Sequence, residues 1–181
     1  MDIKIKIKPS FKFTIYQIPE GDIERWITTE TGARVPIRKG ESVEDAIKNR
    51  AVERMLSGEK IKPYENFLKD KLKDIPVEHL RNAKIEMHKF PFRKGGRILG
   101  DYNNGTGLIR LNQSLPLEEF RKGNVIEHEL GHHVWHKSLS AKDRNVWTNS
   151  VFDTNESPIS SYGGVGIGED FAESYADYVK G

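Results

Sequence analysis

Residues 125–137, Val-Ile-Glu-His-Glu-Leu-Gly-His-His-Val-Trp-His-Lys, hold four of the six histidines of this 181-residue chain. Within them, His128-Glu129-Leu130-Gly131-His132 has the spacing H-E-x-x-H. On an α-helix, residues four apart share one face about one turn apart. Two imidazoles so placed can reach a single metal ion at roughly 2.0–2.1 Å. Glu129 is turned about 100° away from them, so it is placed beside an open coordination position rather than on the metal. There it can take a proton from a water acting as nucleophile. Ile126, Leu130 and Val134 form an apolar stripe nearly opposite the histidine row. The chain must therefore fold so that one face of this helix enters a core while the other lines a metal site. Gly131 costs such a helix about 1 kcal/mol relative to alanine, which implies close packing against a neighbour.

His136 continues the histidine row, but residues at i, i+4 and i+8 span about 12 Å and cannot share one tetrahedral ion. A longer pattern with a third histidine would need Gly at 135 and His at 138, where Trp135 and Ser138 stand. His133 and His136 are accordingly read as lying beside the site or at the surface. The chain has no cysteine, which excludes disulfides and thiolate ligands. No histidine follows His136, so a third ligand must be a carboxylate. Asp143, Asp153, Glu156, Glu169, Asp170, Glu173 and Asp177 are the downstream candidates. The last predicted helix, "EDFAESYADYVK", is the best source, with Phe171, Tyr175, Tyr178 and Val179 as its docking stripe. Its Glu169 and Glu173 are four apart, so one can bind a metal while the other accepts from a ligating imidazole.

The formal net charge is +2, too balanced to argue for nucleic acid by itself. No apolar run approaches the ~20 residues of a membrane helix, and "MDIKIKIKPSFKF" has no signal-peptide core. No membrane association and a cytoplasmic location are the expectation. Near the start, Ile3, Ile5 and Ile7 alternate with lysines, and Phe11, Phe13 and Ile15 repeat the pattern, as in an edge strand. "RWITTETGARVPI" reads as a hairpin about Thr31-Gly32. Ser42, with Asp45 three residues on, opens a helix to about Leu56, and "PYENFLKDKLKD" is a shorter one. From about Ala83 the chain alternates "KIEMHKF" and "GRILGDYNNGTGLIRLN" as strands with a Gly/Asn turn, then gives helices at "PLEEFRKG", the histidine stretch and "AKDRNVWTNSVF". A boundary near residue 80 is expected, dividing an N-terminal β-rich extension, 1–80, from an α+β domain, 81–181.

"ISSYGGVGIGEDFAESYADYV" resembles the glutamate-helix region of gluzincin metallopeptidases related to anthrax lethal factor, and of the small minigluzincins. The match rests on Ser161-Tyr162-Gly163, then Glu169-Asp170-Phe171-Ala172-Glu173, downstream of H-E-x-x-H, and covers roughly residues 83–181. The resemblance implies a zincin-like fold: a small, twisted, mostly antiparallel sheet on an active-site helix and a C-terminal glutamate helix. It implies one Zn2+ on His128, His132 and Glu169, with Glu173 behind a ligand. It further implies Glu129 as the general base and Tyr162 as a donor to the oxyanion. It also implies a sheet edge that pairs with an extended substrate, for which Leu108, Ile109, Arg110 and Leu111 are the expected strand. The segment "WITTETGARVPI" resembles segments beside peptidase modules in tailed-phage head-morphogenesis proteins.

The reading that follows is a zinc-dependent endopeptidase acting on a protein or peptide. Residues 1–80 carry no catalytic motif; a self-inhibiting prosegment, a substrate-recruiting extension and a docking segment are the roles left open. The alternatives are a zincin-fold assembly protein with little proteolysis, against which intact Glu129 and Tyr162 count, and a nucleic-acid binder using the lysine-rich strand.

Overall fold

A computed structural model describes residues 4–5, 22–29, 32, 34–90, 98–153 and 158–180. The architecture is mixed α+β with two small sheets. Among the described residues, no helix is long and apolar enough to cross a membrane. The chain divides into two units, Met1–Met55 and Leu56–Gly181. The division falls 25 residues before the boundary read from the sequence (80 minus 55).

In the first unit, strands β1 (Lys4–Ile5), β2 (Ile23–Thr29) and β3 (Arg34–Arg38) form a sheet in that order. β2 and β3 pair antiparallel with Thr28 opposite Arg34, the hairpin expected around Gly32. β1 runs parallel to β2 at the edge. The alternating pattern at Ile3, Ile7, Phe11, Phe13 and Ile15 lies outside the described residues. Helix α1 (Val43–Met55) packs on β3. Its start is the expected one: Ser42 Oγ accepts from Asp45 N–H at 3.0 Å and donates to Asp45 Oδ2 at 2.6 Å.

The second unit opens with a 3₁₀ segment (Glu59–Tyr64) and α2 (Glu65–Leu72). Three strands follow: β4 (Lys84–His88), β5 (Gly100–Asn103) and β6 (Leu108–Asn112). Their order is β4-β6-β5, with β4 parallel and β5 antiparallel to β6. Two points differ from expectation. The sheet is not mostly antiparallel, since one of its two pairings is parallel. Leu108, Ile109, Arg110 and Leu111 are in the central strand, so they present no edge to a substrate; the outer strand on that side is β5. The hairpin joins β5 to β6, and β4 takes the remaining side of β6.

Helices α3 (Leu117–Lys122), α4 (Val125–His133), α5 (Ala141–Asp153) and α6 (Ile167–Tyr178) complete the unit. The core joins Ile85, Ile109 and Leu111 of the sheet with Ile126, Leu130 and Val134 of the histidine stretch, all buried. α6 docks through Phe171 and Tyr175 of the expected stripe but not through Tyr178, and Ala172 and Ala176 join the buried face. Ala172, Tyr175 and Ala176 are buried, whereas Tyr178 is 75% exposed. Small residues, rather than a large apolar stripe, bring α6 close to α4.

The segment 56–80 is tied to the histidine helix by an ion pair, Lys71 Nζ to Glu127 Oε1 at 2.8 Å. Glu127 is buried, while Lys71 keeps about a quarter of its side-chain exposure. Removing the lysine leaves a buried carboxylate uncompensated. Lys71→Met should therefore cost roughly 2–3 kcal/mol, below the ~3–5 of a fully buried pair. Lys69→Met, which breaks the exposed pair with Glu65, should cost under ~1 kcal/mol. Urea denaturation of both variants checks this; equal losses would contradict it.

Candidate metal centre

α4 begins at Val125 after Asn124 and runs to His133, where the winding widens into a π turn (Val134–Ser138). The wide turn is closed by Leu139 N–H donating to Val134 O at 3.0 Å, five residues back. Within regular helix, His128 and His132 face the same way. Their Nε2 atoms are 3.1 Å apart, and each lies 3.2 Å from Glu169 Oε2 on α6. This is the one group of three such side chains among the described residues that can hold a metal ion.

The donor set fits a metal on its own chemistry. Two donors each ~2.0–2.1 Å from a tetrahedral ion sit about 3.3–3.4 Å apart, close to the three separations found here. Glu169 Oε2 is buried and makes no hydrogen bond, and two imidazole nitrogens confront each other. A cation between the three atoms resolves both features. Three protein ligands would leave a tetrahedral ion one open position.

Around the triad stand the other residues singled out in the sequence. Glu173 Oε1 is 2.8 Å from His128 Nδ1, an ion-pair contact rather than an aligned hydrogen bond. Being one turn beyond Glu169 on α6, it faces the back of the ring whose front faces Glu169. The Tyr162 ring is 5.7 Å from that of His128. Glu129 is only 7% exposed. Its carboxyl is pushed up to about 8, by burial first and then by the carboxylates of Asp101 and Glu169. Burial likewise lowers His132. Burial, then the three neighbouring carboxylates, hold the Tyr162 phenol above its ordinary value, so it stays a donor through neutral pH.

A cleft of about 550 Å³ opens here, lined among others by Ile98, Gly100, Val125, Glu129, Tyr162 and Glu173. A larger one, about 650 Å³, lies beside β4 between Lys60, Ile61, Met87 and His88 and shares no residue with this site. The triad and the buried acid make the smaller cleft the candidate centre.

Of the remaining carboxylates, Asp143 caps α5 with Ser140, Asp177 is exposed, and the side chains of Asp153 and Glu156 lie outside the described residues. His133, read as beside the site or at the surface, is fully buried, with Nε2 donating to Arg81 O at 2.8 Å. His136 is exposed, as read. The sequence reading gave the strand at β5 but not its contacts with the histidine helix. Tyr102 stacks at 6.4 Å on His132 and at 5.9 Å on His136, and edges His133 at 5.7 Å. At Gly100, an added Cβ would lie 3.1 Å from Val125 Cγ1 and 3.3 Å from Glu129 Cγ. The period-2 spacing of Gly100 and Tyr102 was the available signal, since both face α4.

Gly131 sets the distance from α4 to α6. A Cβ there would meet Ala172 Cα at 2.8 Å and Ala172 O at 3.1 Å, both backbone atoms that cannot swing aside. In comparisons with protein-family models, curated proteins and solved structures, none matches the chain.

Two outcomes follow from this geometry. Gly131→Ala should gain up to ~1 kcal/mol of helix propensity yet lose roughly 1–3 kcal/mol net through overpacking. It should also weaken metal binding at least about tenfold as Glu169 is pushed from the imidazoles. Thermal melts and chelator competition read the two effects, and unchanged affinity would refute the close-contact argument. The second concerns the metal-free protein. A carboxyl raised from 4.5 to about 8 on folding binds its proton more tightly in the folded state. Its contribution is therefore complete below the unfolded value and drains away as pH rises from 4.5 towards 8. Glu129→Gln should raise the metal-free Tm at pH 8 and leave it nearly unchanged near pH 4.5. A gain of the same size at both pH values would sink that account.

Proposed function

We propose that the chain is a zinc-dependent endopeptidase of the gluzincin type, with His128, His132 and Glu169 holding the ion. The observation that carries this reading is the meeting of three ligand atoms from two helices beside a buried glutamate in an open cleft. The likeness of "SYG" and "EDFAE" to the gluzincin pattern supports the same ligand set. Zinc is the default ion for two imidazoles and a carboxylate with an open position, and when bound it supplies Lewis acidity and lowers the pKa of water toward ~7.

The chain's own residues supply the remainder. Glu129 is set next to the ligands but is not one of them, so its carboxylate takes the proton of the attacking water. It then delivers that proton to the departing amine, which reprotonates as the peptide bond breaks. Its burial favours the protonated form it must adopt between the two transfers. Tyr162 donates its phenolic hydrogen to the carbonyl oxygen as that oxygen becomes negative, an interaction stronger in the transition state than in the substrate. Glu173 holds the His128 ring from its far side. A peptide would run along β5, which is the outer strand and whose backbone Gly100 brings beside Glu129. An extended substrate can add there as a further strand.

The test is a mixed peptide library incubated with zinc-loaded protein. Wild type should cleave, Glu129→Gln of equal zinc content should not, and Tyr162→Phe should lose roughly 10²–10³ in kcat. Chelation should abolish cleavage and added zinc restore it. If every variant binds zinc and none cleaves, the endopeptidase reading gives way to a zincin-like assembly protein.

A further inference from the structure

Tyr162 poses a positioning problem. Its side chain is half exposed, at 54%, so packing around the ring cannot fix where the hydroxyl goes. Its place over His128 must come from the backbone of the turn that carries it. That turn is closed by its own hydrogen bonds: Gly163 N–H donates to Ser160 Oγ at 2.9 Å and Gly164 N–H to Ser160 O at 3.2 Å. Val165 N–H donates to Tyr162 O at 3.0 Å. These bonds give the turn a shape, and Gly166 at its end accepts from Glu169 and Asp170 N–H at 3.0 Å, but they do not reach its start at Ile159.

Asp170 supplies the tie. It is 5% exposed, and its Oδ1 accepts from Ile159 N–H at 3.3 Å across the start of the turn. The other side of the turn rests on the same residue: a Cβ at Gly163 would lie 3.2 Å from Asp170 Oδ1 and 3.3 Å from Asp170 Cα. The carboxylate is in the first turns of α6, whose N-terminus favours negative charge. Consecutive residues of one helix thus do two jobs. Glu169 points to the imidazoles, and Asp170 points to the turn.

We propose that Asp170 is a positioning residue that clamps the Tyr162 turn onto α6, so that the oxyanion donor and the third ligand are set by one helical turn. The clamp stands on geometry alone; only its catalytic consequence rests on the peptidase reading given above.

The experiment is ¹⁹F NMR of the full chain labelled with 3-fluorotyrosine, in which Tyr162→Phe identifies the Tyr162 signal among six tyrosines. Asp170→Ala should shift and narrow that signal as the turn is released. Asp170→Asn, which keeps an acceptor oxygen, should restore it. Ile159→Pro removes the donated N–H at an exposed position and should reproduce the alanine variant, carrying the test if that variant does not fold. Zinc affinity by chelator competition should stay within about threefold of wild type. In the zinc-loaded protein, Asp170→Ala should lower kcat with little change in KM, and add less than about twofold to the loss from Tyr162→Phe. An unmoved Tyr162 signal in folded Asp170→Ala or Ile159→Pro overturns the proposal. So does a loss of zinc affinity matching the loss of kcat, which would place the effect on Glu169. Absence of cleavage throughout, with the signals moving as stated, would fault the peptidase reading and leave the clamp standing.

Discussion

The contact of Gly131 with Ala172 is the constraint on which the centre depends. Two imidazoles on one helix are a common arrangement, and their separation follows from helix geometry alone. The third donor comes from another helix, and its distance is set by how closely the two backbones approach. A glycine against an alanine permits an approach that any larger residue at 131 would block. The contact lies between the levels of the ligands: Gly131 precedes His132, and Ala172 follows Glu169 by three residues. A small displacement of α6 is therefore transmitted almost directly to Glu169 Oε2, now 3.2 Å from both rings.

The same economy governs the sheet side. β5 approaches α4 through Gly100, where a side chain would strike Val125 and Glu129. One residue on, Asp101 joins Arg110 of β6: Arg110 Nε donates to Asp101 Oδ1 at 2.6 Å, and its Nη2 reaches Oδ2. The Asp101 charge still reaches Glu129 and helps hold its proton. Tyr102 then returns to the helix and packs against three imidazoles in turn. Glycine, acid and aromatic at consecutive positions thus set the distance, the electrostatics and the ring packing of one helix.

What the sequence made legible was what depends on short spacing. The i, i+4 pairs at His128 and His132, and at Glu169 and Glu173, appear as read, because helix geometry fixes neighbours four apart without outside help. The Ser42–Asp45 cap and the hairpin about Gly32 are equally local. The failures are all non-local. Alternation marks Leu108–Asn112 as a strand but carries no information on whether it has one neighbour or two. That choice was made by β4, which contributes no local signal to it. His133 looked peripheral because its partner, the carbonyl of Arg81, is about fifty positions upstream. Tyr178 fitted the stripe of Phe171 and Tyr175 yet stays exposed, while Ala172 and Ala176 are buried, since close approach rewards small residues over large ones.

The fourth histidine of the stretch stands outside the centre, as its distance along the helix from His128 requires. On a continuous α-helix His136 would project in nearly the same direction as His132, one turn further along. The winding widens after His133 into the π turn. Val134 and Trp135 remain buried, and the Trp135 ring packs 5.1 Å from Phe171 of α6. His136 is carried out to the exposed side, against Tyr102. One extra residue in a single turn thus lets the segment keep its docking on α6 beyond the centre.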